Sequence, residues 1–327
     1  MQLYIHSYGS YIHTKNGLFE IKIEGEKKRF SPLKISSIVI SNFSTLSSNT
    51  VRLALKHNID IIFLDEFGDP FGRIWFPKLG STTYIRRKLL EIYTNDEGLI
   101  IVKKWVIKKI TNQIEFLKLL ISKRKKTTEN YSIGIKKLEL LIEKISKLKG
   151  KISSNSNSLM GYEGNAAKHY FKILSELIPI KYKFFGRSSR PAKDIFNTFL
   201  NYGYGILYSK VEKALVIAGL DPYIGLFHTD NYNKKSLVFD FIEPYRVMVE
   251  KVVFYLFSRR LVKDRYYEKI LDGFILNKEG KKLLVEKLMK SFSEKIRYNN
   301  KNIKSINRIL VDAHSFANYL IDKKRSF

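Results

Sequence analysis

The chain has 327 residues, with 59 Lys and Arg against 31 Asp and Glu, a formal net charge of +28 and a pI near 9.9. With 44% apolar and 28% charged residues, 18 Gly, 7 Pro and no Cys, it is neither disordered nor collagen-like. It also lacks the means for disulfide frameworks, thiolate metal sites, iron–sulfur clusters or a cysteine nucleophile.

The first 80 residues read as strands. Gln2 to His6, Tyr11 to Thr14, Leu18 to Ile23 and Ile35 to Ser41 are short and rich in β-branched and aromatic residues, with Lys15-Asn16-Gly17 as a turn. A helix capped by Ser48 or Asn49 follows, with apolar residues at Val51, Leu53 and Leu55. Asp60 to Leu64 and Phe71 to Phe76 then resume the strand pattern around Phe67-Gly68-Asp69-Pro70. After Pro77-Lys78-Leu79-Gly80 the period becomes helical, and Val102, Val106, Ile110, Ile114, Leu117 and Ile121 form one stripe of a long helix. The expected fold is α+β: a β-rich domain over 1–80, then a larger all-helical domain over 81–327.

Residues 101–150 hold 14 Lys and Arg against 4 Asp and Glu, with Lys123-Arg124-Lys125-Lys126 just past the stripe. Such a run serves either as a solvated helical face or as a phosphate-tracking one. Together with the whole-chain charge it predicts a nucleic-acid partner, because Lys and Arg that meet phosphates release condensed counterions. A compositional bias that raises Lys, Ile, Asn and Tyr together is the bland alternative. No run approaches the roughly 20 apolar residues of a membrane span, and Met1-Gln2-Leu3-Tyr4 lacks the features of a secretion leader, so the expected location is cytoplasmic, with no membrane partner.

Lys151 to Ser158 reads as a Ser/Asn-rich connection, after which Leu159 to Phe171 opens a helix. Glu163, Ala166, Ala167, Tyr170 and Leu174 share one face of it, so the Glu163 carboxylate sits among small and apolar residues. There it needs a Lys, Arg or metal cation, or else protonation; alternatively it lies in the first turn and complements the helix dipole. Downstream, Gly219 ends a helix, Asp221-Pro222 turns the chain, and His228 falls in a loop where its imidazole is free to coordinate. Asp240 and Glu243 follow at a spacing of three, which suits either a shared helical face or a capping box, with Pro244 at a helix start. Two carboxylates and an imidazole make a plausible Mg²⁺ or Mn²⁺ site, the imidazole leaning toward Mn²⁺. His6, His13, His57, His169 and His314 lack acidic neighbours at useful spacing and read as structural. Tyr202 and Tyr204 read as helix-packing aromatics.

Four segments, in order and spacing, resemble the CRISPR-associated integrase family Cas1. They are Gly161-Tyr162-Glu163-Gly164-Asn165-Ala166-Ala167, Arg187-Ser188-Ser189-Arg190-Pro191, Gly219-Leu220-Asp221-Pro222-Tyr223-Ile224-Gly225-Leu226-Phe227-His228 and Phe239-Asp240-Phe241-Ile242-Glu243-Pro244-Tyr245-Arg246. One departure is Ala192, where many members have a second proline. The resemblance implies a β-rich dimerisation domain, a larger helical catalytic domain and a homodimer, two copies of which flank a dimer of the small ferredoxin-like partner Cas2. It implies insertion of short double-stranded DNA into a CRISPR array by metal-dependent 3′-hydroxyl transesterification, and cutting of branched DNA. By position, Glu163, His228 and Glu243 fall on the family's metal ligands and Asp240 on a supporting acidic position. Arg187, Arg190 and Arg246 are then candidates to neutralise phosphate, and Tyr162 to pack on a DNA end. Two other readings are a stand-alone nuclease for branched DNA and a basic scaffold that coats DNA without chemistry.

Overall fold

The computed structural model describes residues 2–23, 25–35, 37–41, 43–57, 59–65, 70–74, 82–122, 129–188, 191–228 and 234–322. The chain divides into two compact units, Met1–Lys78 and Leu79–Phe327.

In the first unit β1 (Gln2–Ile5), β5 (Ser37–Ile40) and β7 (Asp60–Leu64) run parallel in one sheet, with β8 (Pro70–Ile74) antiparallel at its edge. A second sheet has the order β4 (Glu26–Phe30), β3 (Leu18–Ile23), β2 (Ser10–Lys15) and β6 (Ser44–Leu46). One apolar cluster joins them, with Ile12, Phe19 and Ile21 from one sheet and Leu3, Ile5, Ile38, Ile40 and Ile61 from the other. The β2–β3 turn is the expected one: Asn16 and Gly17 both have positive φ, which an Asn-Gly pair tolerates at low cost. Strand β4 was not legible because its sequence, EKKRF, has little apolar content; it is an exposed edge strand, where lysines discourage pairing with other chains. Helix α1 (Ser48–Lys56) is capped one residue earlier than expected: Ser47 Oγ accepts the Thr50 N–H at 3.2 Å. The expected strand at Phe71 to Phe76 is described only to Ile74; Phe67-Gly68-Asp69 and the Pro77 to Gly80 segment lie outside the described residues.

The second unit is mostly helical. Its long helix α3 (Asp96–Ser122) follows α2 (Thr82–Tyr93) and packs on α4 (Glu129–Lys147) and α5 (Ile152–Glu176). All six residues of the expected α3 stripe are buried, as a 3.6-residue period requires of a helix with one face on the core. Helix α5 starts at Ile152, so residues 152–158 are two helical turns and not a connection. Ser and Asn weaken helix propensity by only a few tenths of a kcal/mol each, and buried Ile152 and Leu159 anchor the segment instead. Helix α6 (Ile195–Ile217) starts at Asp194, whose carboxylate accepts the Asn197 N–H at 2.7 Å, and it carries Tyr202 and Tyr204 buried in the core. Then come α7 (Ser236–Phe241), a single 3₁₀ turn over Glu243–Tyr245, and α8 (Arg246–Ser258).

The unit is not all-helical. A hairpin of β9 (Tyr267–Ile270) and β10 (Gly273–Leu276) precedes α9 (Lys278–Ser293), and a second, β11 (Lys295–Tyr298) with β12 (Lys301–Lys304), precedes α10 (Asn307–Ile321). Both hairpins are four residues a side, too short to impose a two-residue apolar period. Ala192 is buried, and its carbonyl accepts the Phe274 N–H of β10 at 3.0 Å, which pins the start of α6 without a proline. No helix among the described residues is long and apolar enough to cross a membrane.

Candidate active site

His228 owes its position to a loop that a single buried carboxylate organises. After α6, Gly219 takes φ +82° and lets the chain reverse, and Asp221 Oδ1 accepts the Tyr223 N–H at 2.9 Å across Pro222. Gly225 lies so close to α7 that a Cβ there would stand 2.5 Å from Ser236 Cβ and 2.7 Å from its carbonyl carbon. The next three residues then point their N–H groups at one acceptor. Leu226 and Phe227 donate to Asp240 Oδ2 at 2.6 and 3.0 Å, and His228 donates to Oδ1 at 2.9 Å. The His228 ring adds Nδ1 to Oδ1 at 2.7 Å. Carboxylate and imidazole thus form a pair that leaves Nε2 as the nitrogen available to a ligand.

This geometry overturns the capping-box reading. Asp240 lies inside α7 and spends no bond on Glu243; its charge is satisfied by loop backbone because three aligned N–H groups outbid one. Glu243 instead opens the 3₁₀ turn, with Pro244 behind it leading into α8, and the Asn112 side chain of α3 donates to the Pro244 carbonyl at 2.7 Å. Asp240 and Glu243 therefore face different partners.

Glu163 is in the middle of α5 and not in its first turn, so the helix-dipole reading fails. Its partner is a lysine that the sequence left unnoticed. Lys109 of α3 places Nζ 2.5 Å from Glu163 Oε1 and 2.6 Å from Glu243 Oε2. Glu243 Oε1 accepts from Arg246 Nε at 2.7 Å, and the Arg246 Nη2 donates to the Tyr208 hydroxyl at 3.0 Å. Burial works against both charges of this cluster. For Glu243 the charges of Arg246 and Lys109 outweigh it and hold the carboxyl at about 2; for Lys109 those of Glu243 and Glu163 outweigh it and raise the ammonium to about 12. Both groups are charged at neutral pH. A signal for Lys109 existed: with Trp105 and Gln113 at i−4 and i+4 it lies on the buried side of α3, where an unpaired lysine is costly.

Behind this cluster Glu250 of α8 is fully buried and accepts from the Tyr204 hydroxyl at 2.8 Å and, more weakly, from Gln113 Nε2 at 3.3 Å. Tyr204 is thereby a packing and hydrogen-bonding residue of the core. Arg246 lies over the Tyr204 and Tyr208 rings at 4.9 and 5.7 Å, so its guanidinium is committed to Glu243 and these aromatics. Arg187 is exposed, bonds Asn197 and Asn201 of α6, and lies over Phe171 and Tyr204. Arg190 and the 123–126 basic run lie outside the described residues. Tyr162 is half-buried against the helical core. His13 has an acidic partner that linear spacing hid: it stands opposite Glu20 in the β2–β3 register, 3.0 Å from its carboxylate.

Among the described residues no three His, Asp or Glu side chains are gathered closely enough to share a metal ion. The Lys109 nitrogen holds the space between two of the expected ligands. The donor set nevertheless suits a divalent ion: two carboxylates and an imidazole nitrogen, with Glu243 Oε2 buried and in contact with the Lys109 ammonium at 2.6 Å.

Comparison with known proteins places these observations in a family. A model described as CRISPR associated protein Cas1 matches residues 3–290. A CRISPR-associated endonuclease Cas1 of Archaeoglobus fulgidus is 32% identical, over 99% of this chain and 98% of that protein. Among solved structures, a Cas1 protein from Thermotoga maritima superposes with a TM-score of 0.83 at 24% identity, covering 98% of this chain and 97% of that one. A casposase bound to integration product gives 0.86 at 23% identity, covering 100% and 92%. A chain of a Cas6-RT-Cas1–Cas2 complex gives 0.81 at 23% identity, covering 100% of this chain and 35% of that one.

Proposed function

The chain belongs to the CRISPR-associated Cas1 family, and from that membership we propose that it joins the 3′-hydroxyl ends of short double-stranded DNA to a CRISPR array by transesterification that requires Mg²⁺ or Mn²⁺. The observation that carries this reading is the meeting of Glu163 and Glu243, from distant parts of the chain, around one buried cation. Glu163, Glu243 and His228 Nε2 would hold the ion, which when bound polarises a phosphodiester and steadies the leaving oxygen.

The chain's own side chains have separable tasks. Asp240 keeps the imidazole proton on Nδ1 and so keeps the Nε2 lone pair outward. Arg246 fixes the orientation of Glu243 through Oε1. Arg187, exposed beside α6, and Arg190 meet backbone phosphate, and Tyr162 packs on a DNA end. Transesterification exchanges one phosphodiester for another, so no nucleotide is needed, and the sequence holds no G-x-x-x-x-G-K-[ST] loop to bind one. The partners of this reading are double-stranded and branched DNA, a second copy of the chain and a Cas2 dimer; the fold shared with the Cas1–Cas2 assembly supports the last of these.

The test is product analysis on a supercoiled target that contains a repeat. Substitution of Glu163, His228 or Glu243 by Ala is expected to abolish joining and to leave salt-sensitive DNA binding intact. Joining that survives Glu163→Ala or His228→Ala overturns the metal site. Shortened strands without joined ones assign a branched-DNA nuclease, and products indifferent to all three substitutions and to chelator assign a scaffold.

A further inference from the structure

We propose that Lys109 is the resident counter-ion of the candidate site, and that a divalent ion enters by displacing its ammonium group from between Glu163 and Glu243. The inference rests on the metal reading above, and it assigns to Lys109 a role in positioning the ligands and in setting metal affinity.

The charge balance is the first argument. Glu163 and Glu243 carry two negative charges, and Lys109 and Arg246 carry two positive ones, so the cluster is neutral without an ion. A dication added to that cluster would meet two fixed cations around two carboxylates. At the few ångströms involved and in a poorly solvated setting, that repulsion opposes binding strongly. Side-chain exposures of 9% for Lys109 and 2% for Glu243 leave little solvent to screen it.

The contacts decide which cation yields. Arg246 is held at three points: Glu243 Oε1, the Tyr208 hydroxyl, and the faces of Tyr204 and Tyr208. The Lys109 nitrogen meets the two carboxylates at the end of a flexible four-carbon stem, with no planar fork to lock it. Its contact with Glu243 Oε2 at 2.6 Å is made by a freely rotating ammonium, so the oxygen that an ion requires is held by one mobile cation. Lys109 Nζ lies 2.5 and 2.6 Å from the two carboxylates, which keeps two like charges of α5 and the 243–245 turn together in the absence of metal. The displaced group remains an ammonium, so the step moves charge and breaks no covalent bond.

The experiment is Mn²⁺ titration of the full-length chain without DNA, by calorimetry and by the electron-spin signal of free Mn²⁺. The parent, Lys109→Met and Glu163→Gln proteins are compared, with melting curves in chelator and in Mn²⁺. Lys109→Met is expected to bind Mn²⁺ roughly tenfold or more tightly than the parent, to melt lower than the parent in chelator, and to recover in Mn²⁺. Glu163→Gln is expected to lose the site. Lys109→Met that binds Mn²⁺ no tighter than the parent overturns the displacement inference and leaves the metal site standing. Absence of a Glu163-dependent Mn²⁺ site in both parent and Lys109→Met overturns the metal reading, and this inference with it. Should Lys109→Met fail to fold, a crystal structure of the parent with Mn²⁺ decides. Lys109 Nζ out of contact with both carboxylates supports displacement, and Nζ still bridging them beside a bound ion refutes it.

Discussion

Removing the Asp240 carboxylate tests the loop argument most directly. The side chain is fully buried, and it accepts three consecutive backbone N–H groups and one imidazole N–H. In Asp240→Ala the Leu226 and Phe227 donors are left in the interior, where an unsatisfied buried donor costs about 1–3 kcal/mol. The His228 donor is half-exposed and regains water. Allowing the loop to relax, the expected loss is about 3–5 kcal/mol, a large share of the roughly 5–15 kcal/mol that a domain commands. Asp240→Asn separates stability from chemistry. Its carbonyl oxygen can still accept from Leu226 and Phe227, but its amide then donates toward His228. That favours the imidazole tautomer with the proton on Nε2, which has no lone pair for a metal there. The expected result is about 1–3 kcal/mol lost, with joining and Mn²⁺ binding abolished in a folded protein. Urea unfolding followed by both fluorescence and circular dichroism measures the first, with coincident curves required because the chain has two units. Product analysis and Mn²⁺ titration measure the second. Stability of Asp240→Ala within about 0.5 kcal/mol of the parent, or full joining by Asp240→Asn, would refute the reasoning.

Two further outcomes are expected. Gly225→Ala forces a methyl group into the Ser236 backbone and pushes the 226–228 loop off α7, so joining should fall roughly tenfold or more while stability drops only about 1–3 kcal/mol; joining at the parent rate would show that His228 is not placed by that close approach. At alkaline pH, Tyr319 of α10 is shielded by burial and donates to Glu97 Oε1 of α3 at 2.7 Å, which raises its phenol to about 12. The folded chain then keeps a proton that the unfolded chain loses near 10, so this contribution is intact below about pH 10 and gone by about 12; Tyr319→Phe should flatten that part of the stability profile.

Several features of this protein follow from local order in its sequence. The charge of +28, the absence of Cys, the 3.6-residue stripe of α3 and the Asn-Gly turn all depend on composition or on residues within a few positions of one another. So do the short motifs that carry the family likeness around Glu163, His228 and Glu243. Local order also misled in places. Ser and Asn after Lys151 read as a connection, yet buried Ile152 and Leu159 make them helix, and the spacing of Asp240 and Glu243 mimicked a capping box.

The partner of each charge was decided only in three dimensions. Lys109 is one of 14 Lys and Arg between residues 101 and 150, and its spacing places it on the buried side of α3 without naming the carboxylates it meets. It becomes the centre of the site because α3, α5 and the 243–245 turn meet around it, and a charge buried there is tolerable only beside opposite charge. Asp240 likewise selects three loop N–H groups, since a buried carboxylate takes the donors that the fold brings within reach. Helical and strand periods are set by neighbours along the chain. Ion pairing depends on distance through the protein, which linear spacing does not encode.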